Sequence, residues 1–149
     1  GSVAEFDGDK ITNEELLEKD VDFLVLAALE NQIREDNVNQ VNAKNIIELA
    51  NGPVAPSADM KLHEKGVKVV PDILANAGGV IGSYFEWAQN KAGNIFESDY
   101  LAKRLEEMMR KNYHRVNELH LEKNIEMRTA AYMIAIKRIL RAEKARGNL

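Results

Sequence analysis

Three short apolar runs, separated by helical patterns and closed by turn residues, leave this chain few ways to fold. They are Val21-Asp22-Phe23-Leu24-Val25-Leu26, Ala43-Lys44-Asn45-Ile46-Ile47-Glu48-Leu49 and Val67-Lys68-Val69-Val70. Runs of this length, rich in branched and aromatic residues, read as buried strands. The first closes at Ala27-Ala28-Leu29-Glu30-Asn31 and the second at Ala50-Asn51-Gly52-Pro53, a strong turn signal. A brief, asparagine-rich and therefore weak helix is expected from Glu35 to Val41. A firmer one opens at Pro56-Ser57-Ala58-Asp59 and runs to Lys65, with Gly66 as its C-cap. Ahead of the first strand, Thr12 and Glu15 have the spacing of a capping box that starts a short helix ending near Asp20. Strand and helix alternating this closely predict a parallel sheet with right-handed crossovers.

The third run leads into Pro71 to Trp87, where the chain is expected to turn at Pro71 and Asp72 and pass through Gly78-Gly79 into a helix. In open α/β sheets, ligands lie beyond the carboxyl ends of the strands, against loop amides and helix N-termini. Glycines there let the backbone approach a ligand closely, and Asn76 and Ser83 add uncharged hydrogen-bonding groups. Equally, a glycine turn can serve only to pack a helix tightly on its strand. Each predicted strand delivers an asparagine near its carboxyl end: Asn31, Asn51 and Asn76. Asparagine favours turns in any case, but its amide both donates and accepts, which suits a carboxamide. Three at one sheet edge favour a binding site over turn chemistry alone.

Beyond Gly79 the pattern becomes helical throughout. Tyr84, Phe85 and Trp87 in the first helix could stack on a ring, although core packing is the simpler use. Gly93-Asn94 breaks that helix. Ser98 is expected to cap the next, whose Leu101, Leu105, Met108, Met109, Val116 and Leu119 follow the helical period. A last helix runs from about Met127 to Arg146. Its centre, Ala130 to Ile136, is apolar nearly all round and calls for burial against a domain, a subunit or the sheet. Arg138, Arg141, Lys144 and Arg146 suit the C-terminal end of a helix dipole.

Other chemistries find little support. A chain of 149 residues with net charge −4 fits about one soluble domain and argues against a nucleic-acid partner. No apolar run approaches the roughly 20 residues of a membrane helix, and zero cysteines exclude disulfides and thiolate catalysis, in keeping with a cytoplasmic protein. His63, His114 and His120 lack metal-ligand spacing, and Glu14-Glu15 and Glu106-Glu107 fall in solvated helical segments. No phosphate loop of the P-loop or GxGxxG kind is present, and no serine or histidine stands in a triad context. The residues alone therefore describe an α/β ligand-binding unit. The start at Gly1-Ser2-Val3, without methionine, suggests processing or a cut from something longer.

The runs ALEN, ANGPVAPSAD, PDILANAGGV, SYFEW and MRTAAYMIAI, in this order, resemble glutamate dehydrogenase over essentially the whole chain. The resemblance implies the C-terminal part of that enzyme: a partial Rossmann-like, three-layer parallel sheet followed by C-terminal helices. On this basis residues 1–92 form the later half of a dinucleotide-binding domain and residues 93–149 a helical segment packed on it or on a partner. The family oxidises L-glutamate to 2-oxoglutarate and ammonia with NAD or NADP. Matched by motif, Asn51 and Asn76 would line the cofactor near its nicotinamide, and the backbone of Ala27 and Ala28 would lie beneath the ring. Ser83 would bind a substrate carboxylate. No metal is implied.

The resemblance also implies what must come from elsewhere. The family's catalytic lysine and aspartate and its GxGxxG loop belong to upstream segments, and no motif here matches them. No catalytic residue is therefore assigned to this chain, which by itself should be silent in turnover. Its partners would be a substrate domain and further copies in a homo-oligomer. Leu26, Leu49 and Gly82 depart from residues common in the family, and Gly82 beside Ser83 weakens that serine's assignment. Two other roles stay open: a free-standing nucleotide-binding module, testable by NADH binding read through Trp87, and a self-associating module driven by the last helix and an exposed sheet edge.

Overall fold

The computed structural model describes residues 5–148. Its centre is a parallel sheet of β1 (Phe23–Leu26), β2 (Asn45–Glu48) and β3 (Lys68–Val70), in the order β1-β2-β3. Leu24 pairs with Ile46 and Ile46 with Val69, so the apolar positions of the three runs fall in register on one face. That face packs against α2 (Pro56–Glu64), where Ala58 and Leu62 have no solvent exposure. Burying a side chain such as Ile46 or Leu62 contributes about 1.5–3 kcal/mol. This is the α/β architecture expected from the alternation of strands and helices.

Local chemistry sets the element ends. Thr12 and Glu15 form the capping box: the Glu15 amide donates to Thr12 Oγ1 at 3.1 Å, and the Thr12 amide donates to the Glu15 carboxylate at 2.7 Å. It starts α1 (Asn13–Leu17), which buries only Leu17. Pro56 begins α2, where its missing N–H costs nothing. Gly66, at φ 77°, lies just past the helix end, whose C-cap is Lys65 rather than the glycine.

The segment from Glu35 to Val41 holds only a single 3-10 turn, Val38–Gln40. Asn37 competes with helix formation: its side-chain oxygen accepts from the Arg34 amide at 2.7 Å and its NH2 donates to the Gln32 carbonyl at 2.8 Å. Lys65 Nζ then satisfies the carbonyls of Val38, Asn39 and Val41 at 2.9–3.1 Å.

Past β3 the expected glycine turn is absent. Helix α3 (Asp72–Ala75) begins directly after Pro71, breaks at Asn76 and resumes as α4 (Ala77–Ala92). Gly78 and Gly79 lie in the first turn of α4 and neither has positive φ. Gly93, at φ 63°, ends α4 as expected. Helix α5 (Ser98–Lys123) has Glu97, not Ser98, at its N-cap, and no side chain caps it.

Helix α6 (Met127–Ala145) runs back beside α5 and onto β3. Its Met127, Ala130 and Ala131 join Leu74, Val116 and Val70 in a second core cluster. Burial stops there. Tyr132, Met133, Ile136, Ile139 and Leu140 are exposed, so the apolar centre of α6 is covered on one side only. Helix α4 buries none of its residues, and Tyr84 and Trp87 are exposed, overturning the expectation that they pack in a core. The edge strand β1 likewise leaves Phe23 and Val25 open on the face away from α2. Among the described residues no helix is long and apolar enough to cross a membrane.

Candidate functional site

A cleft of about 680 Å³ opens at the carboxyl edge of the sheet, lined by Ala28, Leu29 and Glu30 after β1, Leu49, Ala50 and Asn51 after β2, and Asn76 after α3. Parallel strands bring their C-terminal loops to one edge, so segments far apart in sequence share this space. The loops are tied to each other. The amides of Leu49 and Ala50 donate to the Leu26 carbonyl at 2.8 Å, and the Asn31 amide donates to the Gly52 carbonyl at 2.8 Å. Farther out, Ile33 and Val54 form an isolated parallel bridge.

Within the cleft, the Asn76 side-chain NH2 donates to Asn51 Oδ1 at 2.7 Å, with a longer contact to the Leu49 carbonyl at 3.4 Å. This fixes the Asn51 oxygen toward Asn76 and turns the Asn51 NH2 outward as a donor. Of the residues singled out in the sequence, Ala28, Asn51 and Asn76 therefore come together. Ala27 immediately precedes the lining, and Asn31 braces the turn through its backbone at φ 51°. Ser83 does not reach the cleft: it is exposed on α4 and its hydroxyl donates to the Gly79 carbonyl at 3.2 Å. Trp87 also lies outside the lining.

Joined to the Asn51 turn through Gly52 is a cluster that no sequence spacing announced. Arg128, the second residue of α6, gives each guanidinium nitrogen to a different carboxylate. Nη2 meets Glu48 at 2.6 Å, Nε meets Asp59 at 2.5 Å and Nη1 meets Asp72 at 2.8 Å. Glu48 ends β2 with no exposure, and its second oxygen accepts the Asp72 amide at 2.7 Å. The other Asp72 oxygen accepts the amide of Gly52 at 2.8 Å, and the Gly52 φ of 58° lies in the left-handed region that favours glycine. One cation thus joins the last helix to β2, α2, α3 and the turn that carries Asn51.

Burial pushes the Glu48 carboxyl above its usual range despite the Arg128 guanidinium and the Asp72 amide. Burial would also raise Asp72, but the amides of Gly52 and Ile73, with Arg128, outweigh it and hold that carboxyl low. For Arg128, burial works against the charge, and the bonds to Glu48 and Asp59 more than offset it, raising its pKa. The signal in the sequence was a charge at an inward-facing strand position, two residues after Ile46. Such a charge demands a counter-charge, although nothing in the spacing names Arg128.

The histidines form no metal centre. His63 and His120 meet edge to face at 5.8 Å between ring centroids, and among the described residues no group of three metal-ligating side chains converges.

The model of the Glutamate/Leucine/Phenylalanine/Valine dehydrogenase family matches residues 1–147. The chain belongs to that dehydrogenase family. It is 50% identical over 140 residues to a glutamate dehydrogenase of Thermotoga maritima, covering 94% of this chain and 34% of the relative. It is 46% identical over 152 residues to an NADP-specific glutamate dehydrogenase of Saccharolobus shibatae, covering 100% of this chain and 36% of the relative. Among solved structures, the hetero-hexameric glutamate dehydrogenase of Thermus thermophilus in its leucine-bound form superimposes with a TM-score of 0.86 at 28% identity, over 97% of this chain and 35% of that one. The chain spans about a third of the length of these dehydrogenases.

Proposed function

We propose that this chain supplies the nicotinamide side of the cleft of an NAD- or NADP-dependent glutamate dehydrogenase, which deaminates L-glutamate oxidatively to 2-oxoglutarate and ammonia. One observation carries this: the Asn51–Asn76 pair sits in a cleft at the carboxyl edge of a parallel sheet, in a chain of this family. Two amides locked together by one hydrogen bond keep unused donors and acceptors, and these suit the carboxamide of a nicotinamide ring. Ala27 and Ala28 would provide the backbone floor under that ring. When bound, the cofactor supplies the hydride acceptor; Asn51 and Asn76 hold and orient its ring.

Substrate contact is assigned to Ser83, which points into α4 in this structure and would have to release the Gly79 carbonyl to bind a carboxylate. Lysine and aspartate for proton transfer, and a phosphate loop for the dinucleotide, would come from a further domain. This chain alone is expected to bind the nicotinamide end weakly and to turn over nothing. Residues 1–92 act as the nucleotide-binding part and residues 93–149 as its helical brace, in an oligomer of a cytoplasmic enzyme.

Isothermal titration of the chain with NADH and NADPH tests the assignment. Saturable binding that Asn51→Ala abolishes supports it; binding unchanged by that substitution, or no binding to either nucleotide, counts against it. Glutamate-dependent reduction of NAD or NADP by this chain would refute its silence in turnover.

A further inference from the structure

We infer that Arg128 is a positioning residue for the asparagine pair of the cleft, acting from the last helix through Asp72 and Gly52. It does not line the cleft. The connection is short and continuous: Arg128 Nη1 to one Asp72 oxygen at 2.8 Å, the other Asp72 oxygen to the Gly52 amide at 2.8 Å, and Gly52 adjoining Asn51. Glu48 closes the circuit by binding Arg128 at 2.6 Å and the Asp72 amide at 2.7 Å. Asp59 adds the third anchor from α2.

The geometry excludes a simple exchange of one cation for another. Three carboxylates on three separate elements are met by three nitrogens of one planar fork, which a lysine cannot reproduce. A carboxylate held on two sides has one orientation, and so does the amide that it accepts. Asp72 thereby fixes the peptide entering Gly52, and with it the direction in which Asn51 leaves the backbone. Asn76 follows four residues after Asp72 and donates its amide N–H to the Asp72 carbonyl at 3.0 Å, so both partners of the pair are set from the same side chain's element.

The consequence for binding rests on the assignment of the cofactor to this cleft, whereas the effect on Gly52 does not. The experiment therefore reads both. Amide hydrogen exchange at Gly52, divided by that at Ile46 in the central strand, reports local opening of the turn apart from global stability. NADH titration reports the cleft. The variants are Arg128→Lys and, where that does not fold, Asp59→Asn, which loosens Arg128 from α2 without touching the cleft. Leu62→Ala, on the same helix and outside the cluster, controls for lost stability.

The expected result is a Gly52-to-Ile46 exchange ratio raised about tenfold in Arg128→Lys and less in Asp59→Asn, with NADH binding weakened by about the same factor. Leu62→Ala leaves the ratio as it is. A raised ratio in a chain that binds no NADH supports the positioning role and sinks the cofactor assignment alone. A ratio unchanged in the folded cluster variants, or raised equally by Leu62→Ala, overturns the inference.

Discussion

The guanidinium of Arg128 meets the carboxylate of Glu48 at 2.6 Å across 80 residues of sequence, at a point where Glu48 has no contact with water. A buried pair of this kind is weak evidence for net stability, because taking both charges out of water costs about as much as their attraction returns. Removing one partner is a different matter. Arg128→Met would leave Glu48, Asp59 and Asp72 facing each other with no cation, a loss of about 3–5 kcal/mol. Urea denaturation followed by circular dichroism measures it. A loss below about 1 kcal/mol would mean that water replaces the guanidinium.

The two perturbed carboxyls act on stability in opposite directions. Asp72 titrates below its usual 3.8 in the folded chain, so stability rises with pH through that lower window as the unfolded chain gives up its proton last. Glu48 titrates above its usual 4.5, so the folded chain holds that proton longer and stability falls as pH climbs from 4.5 through the raised value. Glu48→Gln should erase the second effect and leave the first. Urea midpoints between about pH 3 and pH 7 that fall equally above pH 4.5 in both proteins would contradict this.

Asn76→Asp sets a carboxylate against Asn51 Oδ1 where an NH2 now donates at 2.7 Å. Asn51 must then flip its amide to donate to the carboxylate, which reverses the donor and acceptor that it offers to the cleft. NADH binding is expected to vanish while the melting temperature changes by a few degrees at most, since Asn76 lies at a half-exposed edge. Titration and calorimetry on the same sample separate these outcomes.

The uncovered side of α6 makes a prediction about mass. Tyr132, Met133, Ile136, Ile139 and Leu140 form an exposed apolar stripe, and Phe23 and Val25 add a second patch on β1. Patches of this kind drive association. Sedimentation at micromolar concentration should find dimers or larger species, shifted toward monomer by Ile136→Glu. A monomer throughout would show that neither patch recruits a second copy.

Thr12→Ala removes one half of the capping box and should cost about 0.5–2 kcal/mol of local helix stability. The loss is confined to α1, which buries only Leu17. Exchange of the Glu15 amide, now bonded to Thr12, should accelerate while Ile46 stays protected.

Local signals in the sequence were enough for the strands, the capping box and the asparagine pair. Ile46 and Val69 stand inside runs too apolar for any other use, and Asn51 and Asn76 close those runs where a parallel sheet collects its loops. What failed depended on context. Gly78-Gly79 looked like a turn, but Pro71 and Asp72 start a helix earlier and Asn76 takes the break. Tyr84 and Trp87 have the composition of a core and α4 offers them none, because periodicity describes one face of a helix and not what lies opposite it. Arg128 escaped notice because its carboxylates are scattered over β2, α2 and α3, and a pairing across three elements has no spacing to detect.

The distance along the chain between Asp72 and Arg128 has a consequence in time. Synthesis proceeds from the N-terminus at about 5–20 residues per second, so the 56 residues separating them take roughly 3–11 s to emerge. Throughout that interval β2, α2 and α3 can already be present, with backbone amides on Glu48 and Asp72 but without the cation that joins the three carboxylates. The turn bearing Asn51 receives this brace only when α6 has followed. A nascent chain therefore carries the cleft in outline before it carries it in working order.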